Sequence, residues 1–346
     1  MESDLEKINY TSVLGRQIKP IEFSSDELLS IRSEKFLVTG AGGSIGSRIV
    51  SLLASIPGTK FLATDRDETA LHSLSLKLTS QALFDSSNYE LLDVRDFSGV
   101  NSAIESFSPT VIIHAAALKH LSALQKQPRE AALTNVFGSA NVVDAAIKNG
   151  VRKFINISTD KAAQPKSVLG FSKHFAELYV ASKRASGHAA FTSCRFGNVF
   201  NSRGSVIETF GTQMRIGAPI TLTDPKIQRY FMHVDEAAFL TIKSYLINSG
   251  DIHIFNMGEP VSMLDIVLKM QQLLESNSQI LITGLRDGEK LNELLVEDDS
   301  ICSESSSADI KNVSLNMKNT SSLAPILEAI QARDEAKIIK LLAEVK

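Results

Sequence analysis

Asp160 and Lys161 stand side by side in the stretch STDKAAQPKSVLGFSK, residues 158–173. A carboxyl and an amine at neighbouring positions give a site one group that can deliver a proton and one that can take it. Both roles require protonation states tuned toward the working pH. Thr159 precedes the pair with a hydroxyl, and Lys173 follows in a helical pattern. An isolated Asp–Lys pair in a loop reads equally well as a solvated ion pair. Its meaning depends on the elements that position it.

Those elements form an alternation running from residue 35 to about residue 200. KFLVTG (35–40), KFLAT (60–64), YELLDV, TVIIHAA (110–116), KFINIS (153–158) and AAFTSCRF (189–196) are short apolar runs. Between most of them lie helical patterns, such as Leu71, Leu74 and Leu78 on one face of 67–81. Strands alternating with helices of this length predict an α/β fold, a doubly wound parallel sheet covered on both faces. Asp160 and Lys161 then fall at the carboxyl end of the fifth strand, where such sheets bind their ligands.

The first strand runs into Thr39-Gly40-Ala41-Gly42-Gly43-Ser44-Ile45-Gly46, which opens a helix. Glycines there allow a tight turn and bring backbone N–H groups to a pyrophosphate at the helix N-terminus. Asp65 ends the second strand at the spacing expected of a ribose-binding acid. It can accept from both ribose hydroxyls and would repel a 2′-phosphate, which favours NAD over NADP; Arg66 next to it could instead pair with that phosphate. Asp93, after the third strand, is placed either to hydrogen-bond an adenine amine or simply to cap the next turn.

The chain divides into an N-terminal extension (1–34, with a helix at Asp26–Ile31), a dinucleotide-binding domain (35–200), a smaller α+β substrate lobe (201–300) and a terminal part (301–346). Some later segments are expected to return to the dinucleotide domain. Residues 300–322, rich in Ser and Asn, predict an exposed loop, and Ser322 a cap for an amphipathic terminal helix. A net charge of −3 without a basic run argues against nucleic acid as a partner. Two distant cysteines, Cys194 and Cys302, and scattered histidines suggest no metal site and a reduced setting. No run of about 18 apolar residues is present, and MESDLEKINY is acidic where a signal peptide is basic. The expectation is a soluble, cytoplasmic protein without membrane insertion.

The TGxxGxxG spacing, HAAA after the fourth strand and Asn135 beyond it resemble the extended short-chain dehydrogenase/reductase superfamily. HAAALKH (114–120), STDKAAQP (158–165), RFGNVFNSRGSVI (195–207), RYFMHVDEAA (229–238) and RDGEKLNELL (286–295) narrow this further. Together they resemble the bacterial nucleotide-sugar 4,6-dehydratases of polysaccharide biosynthesis, in their short form and acting on UDP-N-acetylglucosamine. The resemblance implies a lyase that oxidises C4 of the sugar, eliminates water across C5 and C6, and returns the hydride to C6. NAD would be needed but not consumed.

On that resemblance Asp160 protonates the leaving hydroxyl and Lys161 takes the C5 proton. Thr159 is the candidate contact for O4, or equally a strand-end hydroxyl bonded to backbone, and Lys173 would hold the ribose hydroxyls. Val94, Ala115 and Ala116 would join Thr39, Gly40, Gly43, Ser44, Ile45, Gly46, Asp65, Arg66 and Asp93 around the cofactor. Lys119, His120, Asn198, Arg203, Arg229, Arg286 and Glu289 would face the UDP-sugar, guanidinium groups being suited to diphosphate oxygens. Each of these arginines could equally form a surface salt bridge. Superfamily members usually carry tyrosine four residues before the helical lysine; here that position is Leu169. Some dehydratases carry methionine there, so leucine fits a tyrosine-free branch. The rival readings are a nucleotide-sugar C4 epimerase, which normally needs that tyrosine, and a non-catalytic NAD- or sugar-nucleotide-binding protein. Helices at 128–149 and 168–187 would form the four-helix interface of a homodimer or larger homo-oligomer.

Overall fold

The structure is a computed structural model that describes residues 8–81, 87–188, 190–200, 202–297, 300–315 and 323–345. Its centre is a nine-stranded sheet in the order β14-β15-β11-β6-β5-β4-β1-β2-β3. The strands in chain order are β1 (Lys35–Thr39), β2 (Lys60–Asp65), β3 (Tyr89–Leu91), β4 (Val111–His114), β5 (Lys153–Thr159), β6 (Phe191–Phe196) and β7 (Asn198–Phe200). They continue with β8 (Ile220–Leu222), β9 (Gln228–Arg229), β10 (Phe231–His233), β11 (Ile252–Phe255) and β12 (Val261–Ser262). The last three are β13 (Ile280–Ile282), β14 (Ile301–Glu304) and β15 (Ile310–Ser314).

From β3 to β11 every neighbour in the large sheet is parallel. Successive side chains alternate between its faces. Phe36 and Val38 therefore enter one core, against the helices Ser44–Ala54 and Val234–Ser244, while Leu37 enters another with Ile112, Phe154 and Val142. Burial on both faces explains why the strands read as continuous apolar runs. The chain reverses its winding direction between β1 and β4, and a crevice opens beyond their carboxyl ends.

Past β6 the chain builds a lobe from the small pairs β7–β10, β9–β12 and β8–β13, with the helices Val206–Arg215 and Met263–Leu274. Its core joins Tyr10, Phe200, Phe210, Ile220 and Met270. β11 leaves the lobe and rejoins the large sheet beside β6.

Two expectations change. The segment 300–322 is not simply a loop: β14 and β15 pair antiparallel and extend the sheet beside β11. Ile310 and Val313 are fully buried there, enough apolar anchorage to hold a polar hairpin in place. The suggested cap Ser322 lies outside the described residues, but the helices Ala324–Gln331 and Glu335–Ala343 form. Ile326, Ile330, Ile338 and Leu342 of that pair pack into one cluster with Phe175 and Leu178 of the helix Val168–Ala185. Part of the face expected to meet a second copy is thus covered by the chain itself. Among the described residues, no helix is long and apolar enough to cross a membrane.

Candidate functional site

A cleft of about 670 Å³ lies over the carboxyl ends of β1, β2, β4 and β5 and is roofed by the smaller lobe. Its floor is the glycine loop. Gly40 has φ +66°, and a Cβ there would sit 2.5 Å from the amide nitrogen of Ala116. A Cβ on Gly46 would sit 2.2 Å from the Gly40 carbonyl oxygen, so helix and loop approach too closely for any side chain. Most helices here have a side-chain cap, such as Asp67, Asp96 or Ser167. The helix Ser44–Ala54 starts at Gly43 without one. Among the described residues the N–H groups of Ser44, Ile45 and Gly46 have no partner, and these residues line the cleft, an arrangement that suits a phosphate.

Gly43, Ser44, Ile45 and Gly46 line this floor, and Asp65, Arg66, Asp93 and Val94 line the far end. Asp65 accepts from the Gly42 amide at 2.9 Å and from the Asp67 amide at 3.0 Å. Each of its oxygens retains a lone pair for a ribose hydroxyl. Asp93 is gripped by Arg95, whose Nη2 lies 2.6 Å from Oδ2. That hydrogen bond outweighs burial and holds the carboxyl below its usual range. Thr39, expected at the cofactor, is not on the wall; its hydroxyl lies 2.7 Å from His114 Nδ1. His114 Nε2 lies 3.0 Å from the Ser139 hydroxyl. Burial, helped by the charge of Lys173, pushes His114 down to about 3, so it stays neutral in this chain.

Ala115 and Ala116 form the next stretch of wall. Asn135 fixes the loop that carries them: its Oδ1 accepts from the Leu118 amide at 2.8 Å and its Nδ2 donates to the Leu118 carbonyl at 3.0 Å. Asn135 lies in a π-helical turn, Ala132–Phe137, of the kind found at functional sites.

The helix Val168–Ala185, capped by the Ser167 hydroxyl at the Gly170 amide, brings Leu169 and Lys173 to the cleft one turn apart. Leu169 occupies the place of the absent tyrosine. Lys173 is 5% exposed, and no hydrogen-bond or ion-pair partner for its amine occurs among the described residues. Burial lowers it to about 8, against a smaller opposing effect of Glu177. A buried amine facing a cleft without a partner is costly unless a ligand's oxygens meet it. The uncapped helix, the glycines and this amine together fit a dinucleotide.

β5 ends in Thr159, and a 3-10 turn over Asp160–Ala162 follows. The turn sends Lys161 to the cleft wall but buries Asp160 completely behind it. Lys161 Nζ and Thr159 Oγ1 each donate to Asp160 Oδ1 at 2.9 Å. Asp160 Oδ2 has no hydrogen-bond partner among the described residues. Asn198 Oδ1 accepts from Lys161 Nζ at 3.4 Å.

Lys119, His120, Asn198 and Arg203 line the cleft as expected. Lys119 Nζ donates to the Arg203 carbonyl at 2.6 Å, and the Arg203 amide donates to the Ser44 hydroxyl at 3.0 Å. The segment 202–204 therefore straps the lobe to the phosphate end. Arg229, Arg286 and Glu289 are not on the cleft wall. Arg229 is buried and donates to the carbonyls of Gln228, Lys290 and Leu291. Glu289 accepts from the Arg286 amide, and Arg286 itself is exposed. Arg229 also pairs with Glu289 at 3.5 Å, the salt-bridge alternative open for this arginine, and Glu289 helps fix the 286–291 turn. Glu293, inside RDGEKLNELL but not distinguished there from its neighbours, lies 3.8 Å from Lys161 Nζ.

His174, Glu177 and Glu297 approach within 4.8 Å in metal-like fashion. Arg195 already pairs with both carboxylates, at 2.5 Å and 2.9 Å, so a guanidinium fills the cationic role there.

The doubly wound sheet, glycine loop and helical lysine define the class: a Rossmann-type fold of the extended short-chain dehydrogenase/reductase kind. Within that class the chain belongs to the polysaccharide biosynthesis protein family, whose pattern matches residues 36–314. It is 34% identical to the probable polysaccharide biosynthesis protein EpsC of Bacillus subtilis, over 87% of this chain and 51% of that protein. The chain thus spans about half the length of that relative. It is 33% identical to the UDP-glucose 4-epimerase of Rickettsia rickettsii, over 77% of this chain and 78% of that protein. The X-ray structure of Pen from Bacillus thuringiensis matches with a TM-score of 0.72 at 32% identity, over 81% of this chain and 89% of that one.

Proposed function

We propose that this chain is an NAD-dependent nucleotide-sugar 4,6-dehydratase acting on a UDP-N-acetylhexosamine, UDP-N-acetylglucosamine in the first instance, for glycan biosynthesis. The observation that carries the reading is the Thr159-Asp160-Lys161 turn, with an amine on the cleft wall paired to a fully buried carboxyl at 2.9 Å. The glycine loop, Asp65 and Lys173 would hold NAD, which when bound would supply the hydride acceptor for C4 and the hydride returned to C6.

Lys161 can take the C5 proton only after shedding its own, and Asp160 Oδ1 is the nearest acceptor. That single transfer leaves a neutral amine at Lys161 and a carboxylic acid at Asp160, so it arms the base and the acid together. In a dry site the ion pair loses its hydration, which brings the neutral pair within reach. Asp160 does not touch the cleft, so its proton reaches the leaving hydroxyl through Thr159 Oγ1 or Lys161. Thr159 also takes the contact to O4; the charged Lys173 eases loss of the O4 proton to water, and a proton from water restores to the Asp160–Lys161 pair the one that leaves with O6. Leu169 offers no proton at all. The tyrosine's work therefore falls to this threonine, lysine and carboxyl.

A second reading, a C4 epimerase, draws on the Rickettsia relative's name. The deciding experiment is mass spectrometry of UDP-N-acetylglucosamine incubated with the purified protein and NAD. Loss of one water from the sugar is expected. An unchanged mass with inverted C4 configuration by NMR would replace dehydration with epimerisation.

A further inference from the structure

We propose that Glu293 is the positioning residue that fixes the Lys161 amine on the cleft wall. This rests on the dehydratase reading for what Lys161 does to a substrate, but not for where Lys161 is held.

Glu293 belongs to a segment that is neither helix nor strand, yet its side chain is only 2% exposed. A buried carboxylate on irregular backbone costs folding free energy unless cations meet it. Two do. Lys161 Nζ lies 3.8 Å from Oε1, and Lys290 Nζ lies 2.8 Å from Oε2. Among the described residues Oε2 has this ion pair and no hydrogen-bond donor.

Two buried arginines hold the segment on either side. Arg229 donates to the carbonyls of Lys290 and Leu291, both at 2.8 Å. Arg195 donates to the Leu295 carbonyl at 2.8 Å and pairs with Glu297. Gly288, at φ +77°, lets the same segment press against Ser167, 2.7 Å from where a Cβ would be. Lys290 Nζ also donates to the Ala163 carbonyl at 3.0 Å, tying the segment to the turn that carries Asp160 and Lys161. Glu293 is thus delivered to one point, and that point is beside the lysine. Asp160 holds the amine from the sheet side and Glu293 from the lobe side.

The test is acetylation of the folded protein with acetic anhydride, read by peptide mass mapping, with Lys173 as internal reference. In Glu293→Gln, labelling of Lys161 relative to Lys173 should rise roughly fivefold, because one ion pair shielding the amine is gone. Glu293→Asp, one methylene shorter, should give an intermediate rise. With UDP-N-acetylglucosamine, kcat should fall about tenfold or more while KM stays within about twofold. A merely structural tie predicts a lower Tm with the labelling ratio unchanged. Labelling within about twofold of wild type in a folded variant overturns the proposal, and Glu293→Asp decides if Glu293→Gln does not fold. If the wild type dehydrates nothing while the ratio still shifts, the dehydratase reading fails and the positioning role stands.

Discussion

The Gly42 amide donates to Asp65 Oδ2 at 2.9 Å, so the acid at the end of β2 is built into the glycine loop itself. On the proposed reading one carboxylate would both shape the phosphate-binding turn and present charge to the ribose. The two tasks separate by substitution. Asp65→Asn keeps an oxygen for Gly42 but loses the charge that repels a 2′-phosphate. Its affinity for NAD should fall about tenfold, and its preference for NAD over NADP should shrink. Asp65→Ala should lose more, because the loop amide is then unsatisfied as well. Titration calorimetry with each nucleotide measures both effects.

Of the proposed acid–base pair, Lys161 lines the cleft and Asp160 does not. Lys161→Met should lower dehydration by about 10²- to 10⁴-fold while NAD and UDP-sugar binding persist. Asp160→Asn should be comparably slow, since it removes both the acceptor that arms Lys161 and the acid. Rapid-quench assays with binding measured separately distinguish these losses from failed folding. A rate within tenfold of wild type in Lys161→Met would remove this lysine from the mechanism.

The parts of this arrangement that were legible in the sequence are those governed by local pattern. The apolar runs at 35–40, 60–64 and 110–116 mark the strands Lys35–Thr39, Lys60–Asp65 and Val111–His114, because strands buried on both faces have nothing else to be made of. Leu169 and Lys173 could be placed one above the other from helical spacing alone. The hairpin Ile301–Ser314 was hidden because polar residues outnumber its two buried anchors, Ile310 and Val313. A guanidinium matches phosphate, carboxylate and carbonyl oxygens equally well, so the sequence leaves Arg229 open between a phosphate contact and a salt bridge; only the folded chain shows the carbonyls around it. Glu293 lies in the motif RDGEKLNELL, but nothing local ties it to Lys161, since that contact arises across more than a hundred residues of chain.

Lys173 gives a pH dependence whose sign follows from burial. Its amine is lowered to about 8, so the charged form is disfavoured in the folded protein. The cost to stability is full below about 8 and fades as pH rises from there toward the ordinary value of 10.5. Lys173→Met should therefore raise Tm at pH 7, by roughly 3–5 °C, and by less at pH 10. Cofactor binding should move the other way. In the free protein NAD affinity should weaken as pH rises through about 8, and Lys173→Met should bind weakly at every pH. Calorimetric scans and nucleotide titrations across pH 6–10 check the two signs independently.

Arg195 is fully buried at the end of β6 and holds Glu177 of the neighbouring helix and Glu297 of the lobe segment at once. Removing the guanidinium leaves two carboxylates facing each other in a dry interior. Arg195→Met should cost about 3–5 kcal/mol, the range for an orphaned buried charge, measured by urea unfolding. Acid should expose the same network. Burial raises the Glu297 carboxyl, but the hydrogen bond and charge of Arg195 outweigh it and leave the group below its ordinary value of 4.5. The stabilisation from this pair is therefore complete above that value and is lost as pH falls through the lowered one. Wild type should lose stability between pH 5 and pH 3 more steeply than Glu297→Gln, whose carboxamide does not titrate. Because the same segment carries Glu293, the acid-weakened wild type should also expose Lys161 before the sheet unfolds. Hydrogen exchange of residues 290–297 at pH 4, faster than that of β5, is the expected signature; equal protection of both would mean that the arginine does not anchor the segment.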